Sequence, residues 1–290
     1  MSLLIGCYAD TNIVLTNDDG WAVAQLRSEY SALKSAGYNV ILSAPAINKS
    51  GTGSSTTTPK QLEVPCQFET CPVGSPAYGY ESFDRNINYV NGYPVDAVKY
   101  GIKTLAPSIF GSIPTLVISG TNIGTNLGSI SGSGTVGAAA AAALEGIPSI
   151  AFSGSSGSTV SYTTLTSNPS SSSSKSAKIY TDLVLKFSAA LLNNSGTLLP
   201  KGVSLNVNFA STSSCSSASN YKFVLTRVKS SSSATDVTTC GTNKLTDEST
   251  AIKKGCIATV SVFNATTKAD VGSSTQSIVL GKLKPILECL

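Results

Sequence analysis

Two adjacent aspartates close an apolar run, Ile13-Val14-Leu15-Thr16-Asn17-Asp18-Asp19-Gly20. Neighbouring carboxylates repel and are costly to desolvate, so a strand that delivers both to a glycine turn calls for a cation shared between them. Ser50, in the polar stretch Asn48-Lys-Ser-Gly-Thr, adds a hydroxyl, and Asn122, in Gly120-Thr-Asn-Ile-Gly124, adds an amide oxygen. This donor set is all oxygen, which suits magnesium, manganese or calcium rather than zinc or copper. A fourth cluster, Ser131-Gly-Ser-Gly-Thr-Val-Gly137, reads as a glycine-rich helix start whose unpaired N–H groups suit a phosphate, with Ser133 to Thr135 as the donors.

The chain contains no histidine. Ser-His-Asp and Cys-His nucleophiles, phosphohistidine intermediates, HExxH zinc sites and C2H2 fingers all need imidazole and are excluded. Taken singly, the remaining groups have ordinary readings. The aspartate pair suits a helix cap, Ser50 a loop, Asn122 a turn, and Gly132 and Gly134 a tight turn. Trp21, Tyr89, Tyr93 and Tyr100 read as packing residues rather than base-stacking groups.

The elements that must position these clusters alternate in the doubly wound manner. The pattern predicts a strand over 12–15, a helix over 22–35 and a strand over 39–43, a βαβ unit with ligands at the carboxyl ends of its strands. Beyond an irregular region to about residue 90 with short strands, it predicts a helix over 94–105, a strand over 115–119, an alanine-rich helix over 137–144 and a strand over 149–153. From about residue 154 serine dominates, with a helix over 178–192 and strands over 204–209, 221–228 and 256–263. The expected architecture is α/β: a Rossmann-like, mostly parallel sheet over residues 11–155 that carries the site, with a β-richer C-terminal extension over 156–290.

Composition bounds the rest. At 290 residues the chain can bury a substantial core, and 41% hydrophobic with only 12% charged residues suits a folded protein with a Ser/Thr/Gly-rich surface of extracellular texture. The net charge of +4 is carried by scattered Lys and Arg, so no polymeric nucleic acid is expected as a partner. Seven cysteines favour an oxidising compartment. Cys66 and Cys71 can close a small loop, Cys215, Cys240, Cys256 and Cys289 allow three pairings, and Cys7 is left over. The apolar start, residues 1 to about 10, reads as a trimmed leader, and sequons at Asn48, Asn193 and Asn264 are compatible with secretion. No run is long enough to span a bilayer, so no membrane contact is expected.

The order and wording of the motifs resemble the SurE 5′/3′-nucleotidases, also called survival-protein phosphatases. The resemblance lies in Thr16-Asn-Asp-Asp-Gly20, in the loop from Ala44-Pro45 to Ser50-Gly51, in Ser119 to Asn126, in Ser133 to Ala139, and in Leu199-Pro-Lys-Gly-Val-Ser-Leu-Asn-Val-Asn208. It implies a Rossmann-like core and a divalent-metal-dependent phosphomonoesterase acting on nucleoside monophosphates or other small phosphate esters. Asp18, Asp19, Ser50 and Asn122 would be the metal ligands, for Mg2+ or Mn2+ with Ca2+ able to occupy the site. Asn126, Ser133, Gly134 and Thr135 would hold the phosphate. With no histidine in the chain, Asp18 and Asp19 are the catalytic candidates, and Asp19, as the carboxylate less engaged by the metal, is the one to orient or deprotonate the attacking water. The resemblance also implies a homodimer assembled through the extension, and the Ser/Thr-rich texture is similar to the secreted fungal acid-phosphatase branch.

The chain departs from the family pattern at Ser54, where many relatives carry histidine, at Ser131-Gly132, which replaces a tyrosine, and at Gly92 to Ala97. These changes bear on base specificity and leaving-group protonation, not on the ligand positions. Two other readings belong to different classes: a secreted, non-catalytic protein that keeps the fold and binds a phosphate ligand or a partner, and a glycosyltransferase with a DxD-like site. The second fits less well, because the aspartates are adjacent and the phosphate loop is worded differently.

Overall fold

Residues 13–16 are all fully buried, and a strand with no polar face needs cover on both sides of its sheet. The computed structural model, which describes residues 11–290, supplies that cover; Cys7 and the leader-like segment lie outside the described residues. Nine strands, β1 (Asn12–Thr16), β2 (Asn39–Pro45), β3 (Tyr78–Glu81), β4 (Asp84–Val90), β5 (Leu116–Ile123), β6 (Ser149–Gly154), β7 (Val203–Phe209), β8 (Lys222–Thr226) and β9 (Ile257–Asn264), form one sheet. Its order is β3-β4-β2-β1-β5-β6-β7-β9-β8. All pairings are parallel except β3 with β4 at one edge and β7 with β9. The fold is therefore the α/β class expected, with the later strands continuing the same sheet.

The helices are α1 (Ala24–Ser35), α2 (Pro94–Tyr100), α3 (Ala106–Phe110), α4 (Gly134–Leu144), α5 (Thr164–Ser167), α6 (Ser172–Leu192), α7 (Glu248–Ala251) and α8 (Ser273–Leu283). Alternation within β1 sends Ile13 and Leu15 into the core shared with Leu26 and Leu33 of α1 and Leu183 and Phe187 of α6. Val14 faces the opposite core, with Val95 and Val98 of α2 and Ala138 and Ala142 of α4. The alanine run that forms α4 is buried from Gly134 to Ala143, because its small side chains let the helix lie close to the sheet.

Several expected boundaries move. The stretch read as one helix from Pro94 is α2, a wider π turn over Gly101–Leu105, and α3. The serine tract begins α6 rather than preceding it: Ser171 caps the helix by accepting the Ser174 N–H, and Ser173, Ser174 and Ser176 are buried. α8 carries no strong apolar stripe and was not anticipated. Trp21 and Tyr89 do pack, edge to face at 5.0 Å, as expected.

Three disulfides join Cys66 to Cys71, Cys215 to Cys256 and Cys240 to Cys289, which selects one of the three open pairings. Among the described residues no helix is long and apolar enough to cross a membrane.

Candidate active site

From β1 the chain works outward through β2 to β4 in one direction, and from β5 through β6 to β7 in the other. Open α/β sheets bind ligands at the carboxyl ends of the strands where the order reverses. Asp18 and Asp19 leave β1 at that point, and Asn122 lies near the end of β5, the strand beside it.

The turn that presents the aspartates is locked from several sides. Asn17 spans it, its Nδ2 donating to Gly20 O at 3.0 Å and its Oδ1 accepting the Gly20 N–H at 3.2 Å. Gly20 has φ 111°, a left-handed conformation, and the Gln67 side chain fills the space where a Cβ would stand. Gln67 Nε2 donates to Asp19 O at 2.6 Å, and Thr70 Oγ1 accepts the Trp21 indole N–H at 3.0 Å. Both residues belong to the small loop tied by Cys66–Cys71, so this disulfide buttresses the aspartate turn. Helix α1 is preceded by Val23 at its N-cap, with no side-chain cap, so the aspartates are not spent on capping it.

Asp18 is 2% exposed and held at both oxygens by one residue. Thr135 Oγ1 donates to Oδ1 at 2.7 Å, and the Thr135 N–H donates to Oδ2 at 3.0 Å. Gly134 completes the approach, since a Cβ there would stand 2.8 Å from the Asp18 Cβ. Asp19, also 2% exposed, accepts the Ile123 N–H at Oδ2 (2.8 Å), and Ser50 Oγ lies 3.4 Å from its Oδ1. Ser50 is brought there by its neighbours: the Lys49 N–H donates to Asp18 O at 2.7 Å and the Gly53 N–H to Gly132 O at 2.9 Å. Asn122 donates from Nδ2 to Gly124 O at 2.6 Å, which leaves its Oδ1 as an acceptor.

Burial pushes both carboxyls up. Asp18 is raised by burial against the opposing bonds from Thr135. Asp19 is pushed up to about 7 by burial and by the charge of Asp18, with the Ile123 N–H and the Ser50 hydroxyl acting the other way. Among the described residues, no Lys or Arg forms an ion pair with either aspartate. Two buried, adjacent carboxylates with no cationic partner among the described residues and a hydroxyl at 3.4 Å, beside the strand end that carries Asn122, fit a hard divalent cation.

Of the sequence-derived ligand positions, Asp18, Asp19 and Ser50 stand together, and Asn122 precedes the Ile123 N–H that Asp19 accepts. The phosphate positions divide. Ser133 caps α4, its Oγ accepting the Val136 N–H at 3.1 Å, and both donors of Thr135 serve Asp18. The helix N-terminus that looked open to a phosphate is used largely by a carboxylate of the protein itself. Asn126 stands nearby on another set of supports: its Nδ2 donates to Ser153 Oγ at 2.7 Å, and Ser153 is the strand partner of Asn122. Its N–H donates to Asn208 Oδ1 at 2.8 Å, and its carbonyl accepts from Asn206 and Asn208.

Asn206 and Asn208 belong to the Leu199–Asn208 motif but carry no site role in the sequence reading, and Gln67, Ser153 and Glu248, which bonds Asn206, are not singled out by it. The one signal available was the row Ser204, Asn206 and Asn208, polar at every second position of an otherwise apolar strand.

A family model described as "Survival protein SurE" matches residues 13–235. The chain belongs to the SurE family. Among curated relatives, an acid phosphatase of Yarrowia lipolytica is 44% identical over 133 residues, covering 44% of this chain and 37% of that protein. A 5′-nucleotidase SurE of Desulfitobacterium hafniense is 41% identical over 133 residues, covering 44% of this chain and 45% of that protein. The chain thus spans less than half the length of these relatives. A crystal structure of the SurE protein from Aquifex aeolicus superposes with TM-score 0.59 at 24% identity, over 93% of this chain and 98% of that one, which shows a shared fold.

Proposed function

We propose that this chain is a divalent-metal-dependent phosphomonoesterase that hydrolyses nucleoside monophosphates or other small phosphate esters outside the cell. The carrying observation is the pair of buried carboxylates, Asp18 and Asp19, set at the sheet's switch point with no cationic side chain among the described residues paired to them. The names of the relatives support the reaction class, and three disulfides support an extracellular setting.

In this reading Asp18, Asp19, Ser50 and Asn122 hold Mg2+ or Mn2+. When bound, the cation neutralises charge on the non-bridging phosphoryl oxygens and makes the attacking water more acidic. Thr135 fixes both oxygens of Asp18, so this carboxylate serves as a rigid anchor. Among the described residues Asp19 Oδ1 has only the 3.4 Å contact to an exposed Ser50, which leaves it the freer oxygen to orient the water and accept its proton. The second N–H of Asn126 Nδ2 and the Ser133 hydroxyl proton are the donors left for the phosphoryl oxygens.

The test is phosphate release from p-nitrophenyl phosphate and AMP, with EDTA and then with Mg2+ or Mn2+ added back. Turnover that EDTA abolishes and metal restores is expected; a non-catalytic binding protein releases nothing above background. A second measurement probes the anchor. Thr135→Val keeps the shape and removes the 2.7 Å hydroxyl bond to Asp18. Loss of such a supporting bond to a ligand typically weakens metal affinity about 10- to 100-fold. A Mn2+ titration of activity should shift by that amount, with maximal rate largely recovered at saturation. Homodimerisation through residues 156–290 is proposed from family likeness, and sedimentation velocity checks it.

A further inference from the structure

Asn206, buried in β7, makes its side-chain hydrogen bonds from Nδ2, to Asn126 O at 2.8 Å and to Glu248 Oε2 at 3.0 Å. Its Oδ1 is buried with no partner among the described residues. An amide whose oxygen is idle gains nothing on that side, so its orientation is dictated by the two acceptors facing its nitrogen. Asn126 O is one; the Glu248 carboxylate is the other. Glu248 also accepts the Gly128 N–H at Oε1 (2.9 Å) and the Ser261 hydroxyl at Oε2 (2.9 Å).

The loop that follows β5 is therefore gripped twice by one carboxyl from α7, at Gly128 directly and at Asn126 through Asn206. Burying a carboxyl is expensive unless its oxygens are satisfied, and replacing it with an apolar side chain would orphan the Gly128 N–H and release the Asn206 amide. Burial pushes Glu248 up to about 8 despite these bonds, so the position carries a cost that its partners only partly offset.

We propose that Glu248 is a positioning residue that, from the C-terminal extension, fixes the placement of Asn126 for the phosphoryl group. The inference rests on the phosphatase reading above. Its side-chain hydrogen bonds among the described residues go to Gly128, Asn206 and Ser261 and to none of the four proposed cation ligands, so the expected effect is on phosphate binding.

Glu248→Gln tests this, because the carboxamide keeps an acceptor for Gly128 while turning a donor toward Asn206 Nδ2. With saturating Mn2+, KM for p-nitrophenyl phosphate and Ki for inorganic phosphate should each rise about tenfold, with kcat changed less than about threefold. The Mn2+ concentration for half-activation should stay unchanged. Leu283→Ala, a buried truncation in α8, controls for general loosening and should lower the melting temperature without moving KM. Should Glu248→Gln not fold, Glu248→Asp, one methylene short of its partners, is expected to raise KM about threefold. Wild-type KM and Ki in the folded variant overturn the proposal, as does a common shift of KM, kcat and Mn2+ dependence that Leu283→Ala reproduces. A wild-type protein inactive with every divalent metal removes the phosphatase reading itself, and is seen before any variant is made.

Discussion

Asp19→Asn should abolish turnover while making the metal-free protein more stable. The activity loss follows from removing a ligand charge and the freer proton acceptor together. Several kcal/mol of transition-state stabilisation are at stake, about 10^3-fold at ~1.4 kcal/mol per decade. The stability gain follows from the geometry. The new carbonyl oxygen can still accept the Ile123 N–H, and the new amide can donate to Ser50 Oγ once that hydroxyl turns round. What disappears is a charge that burial and Asp18 disfavour. The folded-state value of about 7 lies above the usual 3.8, so the fold binds this proton more tightly than the unfolded chain does. The wild-type, metal-free fold therefore loses stability as pH rises from about 4 to about 7, by up to about 4 kcal/mol. Denaturant melts in EDTA should show the variant ahead at pH 8 and level with wild type near pH 4. Equal stability at both pH values would sink the argument.

The disulfides should separate stability from site integrity. Cys215–Cys256 and Cys240–Cys289 close loops with sequence separations of 41 and 49, and each should stabilise by roughly 4 kcal/mol on loop-closure grounds. Against a typical total of about 5–15 kcal/mol, replacing either pair by alanine removes a large share. Cys66–Cys71 closes a separation of only 5 and should contribute about 2 kcal/mol. Yet its loop holds Gln67 against Asp19 O and Thr70 against Trp21. The Cys66→Ala/Cys71→Ala protein should accordingly melt highest of the three double variants and bind Mn2+ most weakly, as read by thermal melts and calorimetry. A variant with wild-type Mn2+ affinity would show that the small loop does not buttress the turn.

Much of the candidate site is legible because its groups sit at strand ends that local pattern reveals. Apolar runs mark β1, β5 and β6, and the parallel βαβ rule brings Asp18, Asp19 and Asn122 to one edge. The helpers were not legible. Gln67 reaches Asp19 across 48 positions and Glu248 reaches Gly128 across 120, and no local spacing encodes such contacts. Thr135 shows the converse: its wording suggests a phosphate donor, and only the placement of the α4 N-terminus beside the aspartate turn reveals that Asp18 takes both its hydrogens. Helix α6 began early because serine, a poor interior helix former, serves well as a cap and as small filler where the helix meets its neighbours.

The continuity of the sheet constrains how this chain can be dissected. β6 bonds β7 in parallel register from Ile150 to Gly154, and α6 covers the same core as α1. Cleaving near residue 155 would bare one full flank of β6 and strip the lid from Ile13, Leu15 and Leu26. Such an uncapped ribbon is a template for self-association. The N-terminal half bears the carboxylates, but it depends on the C-terminal half to remain in solution.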